Sequence, residues 1–135
     1  MNYWLLKTEP ETFSWEDHLR EKRSMWDGVR NYTARNNLRS MKKGDRAFFY
    51  HSGKNPRIVG IVEIAKEAYP DPTATEGDWS VVDVAPVAPL ARPISLKEIK
   101  ATEALSGMSL VTSFRLSVQP VTPAEFKLIL KMAGN

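Results

Sequence analysis

A mixed α+β fold, built on a small and mostly antiparallel β-barrel flanked by short helices, is what this 135-residue chain predicts. Three observations lead there. Short runs such as Arg46–His51 and Ile58–Ile64 carry apolar residues on both faces, which suits a sheet buried on both sides or curled into a barrel. The helix signals between such runs are short and individually capped. No repeat, low-complexity tract or long linker divides the chain, so residues 1–135 read as one domain with room for a real core.

The elements follow in order. Tyr3 to Thr8 is an apolar-rich run stopped by Glu9-Pro10, read as the first strand. Ser14 caps a short helix from Trp15 to Glu21, with Glu16 and Asp17 in its first turn. A second helix is predicted over Thr33–Lys43, because Ala34, Leu38 and Met41 fall at i, i+4 and i+7. Lys42, Lys43 and Gly44 supply its C-terminal charge and cap. The strands Arg46–His51 and Ile58–Ile64 are joined by Ser52-Gly53-Lys54-Asn55-Pro56, a hairpin loop by composition. Tyr69-Pro70-Asp71-Pro72 reads as a stiff loop and Trp79–Val87 as a further strand. Ser95 with Glu98 makes a capping box, and Ile94 staples to Ile99. Arg115 to Gln119 alternates, with Arg115, Ser117 and Gln119 on one face of a predicted strand. Thr122-Pro123-Ala124-Glu125 starts a last helix whose stripe is Phe126, Ile129, Leu130 and Ala133.

Composition narrows the chemistry. Hydrophobic residues are 42% and charged residues 26%, ordinary for a folded soluble domain. Without Cys there is neither a disulfide framework nor thiolate chemistry. The two His, at 18 and 51, form no zinc pattern, so no metal is expected. The N-terminal apolar run is too short for a signal peptide or membrane span, which makes cytoplasmic residence the default and a membrane partner unexpected.

Charge is distributed unevenly. Residues 20–57 carry eleven Lys/Arg against three Asp/Glu, a net of +8, while the rest of the chain is net −5 and the whole +3. Set in that stretch is Trp26-Asp27-Gly28-Val29-Arg30-Asn31-Tyr32-Thr33-Ala34-Arg35-Asn36-Asn37, which mixes stacking rings, amides and guanidinium groups. Such a mixture suits a protein that grips nucleic acid and inspects one base; equally, it describes a solvated helix face over buried aromatics.

Individual candidates carry paired readings. Trp26, in an irregular polar-flanked segment, is the first candidate for a base-stacking wall, against a Trp packed over the barrel end. Trp4 lies in a strand and reads as core. Tyr50 and Tyr69 are pocket walls or half-buried structural tyrosines. Asn31 and Asn36 can read a base edge, and Asn31 can instead cap the second helix. Lys7, Thr8 and Glu9 end a strand where a barrel mouth places recognition groups, and a carboxylate there can accept from an exocyclic amine. His51-Ser52 suggests a hydrolase, but neighbours on a strand point to opposite faces, so both are expected to hydrogen-bond at the mouth instead. Arg30, Arg35, Arg39, Lys42 and Lys43 are expected to hold phosphates, with Arg35, Arg39 and Lys42 in one helical stripe. Arg115 and Ser117 share a strand face suited to a phosphate or base.

Five segments in order resemble one family. They are Tyr3-Trp4-Leu5-Leu6-Lys7-Thr8-Glu9-Pro10, the Trp26–Asn31 run with Ala34-Arg35-Asn36, Phe49-Tyr50-His51-Ser52, Tyr69-Pro70-Asp71, and Arg115-Leu116-Ser117-Val118-Gln119-Pro120-Val121. Together, over essentially the whole chain, they resemble the EVE domain family, to which the thymocyte nuclear protein group belongs. The resemblance implies a PUA-like barrel, akin to YTH and ASCH domains, in the bare bacterial form without a basic N-terminal tail. It also implies a nucleic-acid partner bearing a modified base, with the base flipped into an aromatic-lined pocket; modified cytosine in DNA is the family's link. The segment from Pro72 to Trp79 is short against many relatives, which opens one rim of the pocket.

The expectation is therefore a non-enzymatic reader of modified DNA or RNA, with no catalytic residues and no cofactor. A general PUA-type RNA-binding domain without modification sensing is the alternative. No glycine-flanked nucleophile or phosphate loop supports an enzyme.

Overall fold

The computed structural model describes residues 1–135. Its strands are β1 (Tyr3–Thr8), β2 (Ser24–Met25), β3 (Arg46–His51), β4 (Arg57–Pro70), β5 (Ser80–Ser95) and β6 (Val118–Val121). Its helices are α1 (Trp15–Glu21), α2 (Tyr32–Ser40), α3 (Leu96–Lys100), α4 (Ser109–Thr112) and α5 (Pro123–Ala133), with one 3₁₀ turn at Glu103–Leu105. All six strands form one sheet in the order β2-β5-β4-β3-β1-β6. β1 and β3 are parallel, Tyr3 opposite Arg46 and Thr8 opposite His51; the other pairs are antiparallel. The outer strands β2 and β6 do not pair with each other, so hydrogen bonds leave the barrel open. The class is the expected α+β.

Alternation along the strands sorts the core into two layers. Trp4 and Leu6 of β1, with Ala47 and Phe49 of β3, face the side covered by Ala34 and Leu38 of α2 and by Trp15. Leu5, Phe48 and Tyr50 face the other side, covered by Phe126, Ile129 and Ala133 of α5. The apolar residues on both strand faces are thus each buried under a helix. Phe48 stacks on Phe126 at 4.2 Å.

Four boundaries differ from expectation. The helix expected over Thr33–Lys43 is Tyr32–Ser40, and Met41 is already extended. Buried Asp45 causes this: its carboxylate accepts from Lys42 N–H at 3.0 Å, Asn2 N–H at 3.1 Å and Trp4 Nε1–H at 3.1 Å, which draws the chain out of the helix. The expected Arg35–Arg39–Lys42 stripe is broken as a result. β4 extends to Pro70, so Tyr69 and Pro70 end a strand rather than sit in a loop, and four register shifts bend β4 against β5. β5 runs to Ser95 through Pro86, Pro89 and Pro93, because β2 pairs only with Asp83 and Val84 and leaves that edge without a ladder to break. Finally, Arg115–Ser117 is not strand: β6 starts at Val118.

Caps match the sequence closely. Ser14 and Asp17 form a reciprocal box on α1, and Thr122 and Glu125 on α5. At α3 only half the expected box exists: Ser95 accepts from Glu98 N–H, while the Glu98 carboxylate turns to Arg92 at 2.8 Å.

Candidate functional site

The C-terminal ends of the parallel pair β1 and β3 open into two clefts that share Lys7 and Thr8. The first, of about 430 Å³, is lined by Phe13, Met25 and Trp26 with Thr12, Glu21 and Asp27. The second, of about 460 Å³, includes Glu9, Tyr50, Ser52, Arg115 and Ser117. A third, of about 420 Å³, lies between Asn31 and Thr33 at the start of α2 and the Thr112–Leu116 connection, and shares Phe114 and Arg115 with the second.

Trp26 is both wall and core. It is only 7% exposed. Its ring meets Phe49 edge-on at 5.5 Å and Phe13 at 6.0 Å, and the Trp26 backbone N–H donates to Val82 O at 2.8 Å. The expectation that an irregular polar-flanked segment would not bury a Trp is corrected. The segment is irregular because a tertiary anchor holds it: the fully buried Asp71 carboxylate accepts from Gly28 N–H (3.0 Å), Arg30 Nη1 (2.9 Å), Thr73 N–H (2.8 Å) and Thr73 Oγ1 (2.6 Å). Burial pushes the Asp71 pKa up, but these hydrogen bonds outweigh it and bring the carboxyl to about 2. Gly28 takes φ +79°, a turn that L side chains disfavour.

Behind the first cleft runs a buried polar chain. Ser24 Oγ donates to Glu21 Oε1 at 2.7 Å and lies 2.7 Å from His18 Nδ1. Since the hydroxyl hydrogen goes to Glu21, the His18 Nδ1–H donates to Ser24. This chain fixes the Glu21 carboxylate at the rim. Burial lowers the His18 pKa, against an opposing pull from Glu21, and so disfavours the charged ring. With Glu21 and Asp27 against Lys7, the first cleft is rich in acceptors; the second and third gather Lys7 and Arg115 against Glu9.

The other candidates divide by location. Lys7, Thr8, Glu9, Tyr50, Ser52 and Ser117 are brought together in the second cleft. Lys7 Nζ donates to Phe114 O and sits 5.7 Å over the Tyr50 ring, and burial lowers its pKa. Burial also pushes the Tyr50 hydroxyl up to about 12, so it stays protonated. His51 is not at the mouth: it is buried, and its Nε2 accepts from Trp15 N–H at 3.0 Å, capping α1. Ser52 Oγ turns to Thr8 O at 3.3 Å, so His51 and Ser52 form no base–nucleophile pair. Tyr69 lines none of the clefts; its hydroxyl donates to Asp83.

Asn31 spends its side-chain oxygen on α2, accepting from Ala34 N–H at 2.9 Å. Asn36 Oδ1 accepts from Arg35. Arg39 binds Asp78 at 2.8 Å and Ser80 Oγ at 2.9 Å, and Arg35 reaches Asp78 O. Arg30 is tied to Asp71. Lys42 and Lys43 line a small cleft with Asn2 and Asp45, at the opposite end of the β1–β3 pair. The basic stretch is therefore not one surface. At the clefts where β1 and β3 end, Arg115 and Lys7 have no ion pair with an acidic side chain.

Phe13, Thr12, Met25, Glu21 and Asp27 were not among the candidates. Phe13 carried one usable signal: as the apolar residue before the Ser14 cap, it packs on His18 at 6.0 Å, four positions into the helix.

Comparison with known proteins shows the family and the fold. Residues 2–132 match the family model for the EVE domain. Mouse thymocyte nuclear protein 1 is 46% identical over 97% of this chain and 73% of its own length. A crystal structure of an Agrobacterium tumefaciens protein is 50% identical with TM-score 0.95, covering 99% of this chain and 94% of that one. Human THYN1, crystallised in complex with DNA containing 5-methylcytosine, is 40% identical with TM-score 0.92 and covers 100% and 99% of the two chains. The YTH domain of a Zygosaccharomyces rouxii protein shares the fold at 16% identity and TM-score 0.57.

Proposed function

The chain belongs to the EVE domain family, and we propose on that premise that it binds nucleic acid and holds one flipped, modified base, a modified cytosine in DNA, in the Trp26 cleft. The observation that carries this reading is the joining of a fixed aromatic floor to an acceptor-rich rim. Trp26 and Phe13 meet at 75°, so a flat base can lie on one ring and butt against the other. Glu21 and Asp27 border the same space and suit the exocyclic amine of cytosine, a hydrogen-bond donor. Phosphates are repelled by those carboxylates and belong with Lys7 and Arg115 in the neighbouring clefts. The kinship with human THYN1, whose structure contains 5-methylcytosine DNA, supports this assignment.

Binding and not turnover is the proposed activity. The His18–Ser24–Glu21 chain delivers the serine hydrogen to a carboxylate, so the hydroxyl is not activated by the imidazole. An extruded base loses a few kcal/mol of stacking, which ring contacts and edge hydrogen bonds offset. An added methyl in the cleft contributes on the order of 1 kcal/mol.

The test is a pair of titrations with oligonucleotides of one sequence, with and without 5-methylcytosine. Wild type is expected to prefer the modified one, and Trp26→Ala, with its folded fraction checked by a thermal melt, is expected to lose most of that preference. Stacking worth about 1–3 kcal/mol per base sets the loss near ten- to a hundredfold. Equal binding of both oligonucleotides by wild type would refute modification sensing and leave general nucleic-acid binding.

A further inference from the structure

The connection between α4 and β6 displays a phenylalanine that the fold itself does not use. Phe114 is 62% exposed, at the rim shared by the second and third clefts. Burying such a ring normally stabilises a protein by about 1.5–3 kcal/mol, so its display needs a reason. Nor is the loop slack. Buried Gln119 braces it from below, its Nε2 donating to Ser113 O at 3.0 Å and Leu116 O at 2.9 Å. Leu116 N–H returns to Ser113 O at 3.0 Å, and Lys7 Nζ ties Phe114 O to the end of β1. The ring is thus presented on a rigid knuckle, one residue from the Trp26 cleft through Lys7.

Its surroundings are cationic and aromatic. The Arg115 guanidinium lies 5.7 Å from the Phe114 ring. Tyr32, whose neighbours Asn31 and Thr33 line the third cleft, is 67% exposed and stacks on Trp79 at 5.2 Å, with Arg35 5.0 Å from its ring. An apolar tip beside Arg115 and Lys7 complements a stacked, polyanionic duplex better than it does a neutral protein surface.

We propose that Phe114 is a wedge that enters the base stack of duplex DNA at the position vacated by the flipped base, with Arg115 on the adjacent phosphate. Apolar side chains inserted at base steps are a general means of unstacking a duplex. Lys7 borders both the base cleft and the cleft that Phe114 lines, so extrusion and gap filling are assigned to adjoining clefts at one strand end. The proposal rests on the base-flipping reading of the Trp26 cleft, and the experiment separates the two.

Phe114→Ala, Phe114→Leu and wild type are titrated with one 5-methylcytosine sequence in three forms: a paired duplex, a single strand, and a duplex with an abasic site opposite the modified base. Loss of a wedge predicts that Phe114→Ala weakens duplex binding about ten- to a hundredfold. Single-strand binding should change less than about threefold, and the abasic duplex should recover part of the loss. Phe114→Leu, still an apolar wedge, should retain most duplex affinity. A 2-aminopurine beside the modified base should brighten with wild type and stay dim with Phe114→Ala. Equal loss on single strand and duplex would make Phe114 a pocket wall, and unchanged binding to all three forms would mean that it faces something other than nucleic acid; either overturns the wedge. Failure of the base-flipping reading shows separately, as absence of any modified-base preference in wild type.

Discussion

Replacing Asp71 with Asn should unfasten the segment that carries Trp26. The carboxylate is buried and accepts four hydrogen bonds, from Gly28 N–H, Arg30, and the N–H and hydroxyl of Thr73. Asn has one acceptor oxygen. If that oxygen stays with Thr73, its NH₂ faces Gly28 N–H and the Arg30 guanidinium, donor against donor. Hydrogen bonds to a charged group contribute about 1.5–3 kcal/mol each, and leaving a buried partner unpaired costs about 3–5 kcal/mol in all. With about 2.1 cal/mol/K of unfolding entropy per residue, that loss lowers Tm by roughly 10–18 °C. The assay is a thermal melt at neutral pH, repeated from pH 5 to pH 2. The wild-type carboxyl is depressed to about 2, so its contribution is full above the ordinary carboxylate range near 3.8 and is lost as pH falls toward 2. Asp71→Asn should melt low throughout and lose that acid dependence. Below its melt, the variant should also lose preference for the modified oligonucleotide, since Gly28 and Arg30 follow Trp26 directly. A Tm within 3 °C of wild type would refute the anchor.

Further outcomes can be checked together. Gly60→Ala should cost roughly 1–3 kcal/mol or more, because an added Cβ would lie 2.5 Å from the Trp15 ring; an unchanged denaturation midpoint would contradict that packing. Burial lowers the pKa of His18, and burial together with Arg57 lowers that of His51. The unfolded chain therefore takes up protons near 6.5 before the folded one does, so Tm should be highest above pH 7 and fall between pH 6.5 and 5.5; a flat profile would contradict it. Arg115→Glu should weaken modified and plain oligonucleotides alike and flatten the salt dependence, whereas Lys42→Glu with Lys43→Glu should change little; the reverse pattern in salt titrations would move the phosphate face to the other end of the sheet.

Sequence alone determined what local rules control. The Ser14 cap, the Thr122–Glu125 box, the opening strand and the central hairpin are set by neighbours a few residues apart, so their signals lie within short windows. Five ordered motifs likewise carried the family. What only the tertiary structure decided was the use of individual polar groups. Asp45, from the turn before β3, ends α2 early and takes Lys42 out of the expected stripe. Asp71, 43 residues from Gly28, makes a polar-flanked run into a fixed wall and occupies Arg30. His51 reaches back 36 residues to cap α1, and Arg39 is claimed by Asp78 and Ser80. A buried donor or acceptor must find a partner wherever the fold brings one, and sequence spacing holds no record of which distant group that will be. Residue type announced a basic, aromatic, amide-rich surface; partner geometry decided that its arginines largely brace the fold and that the site lies where β1 and β3 end.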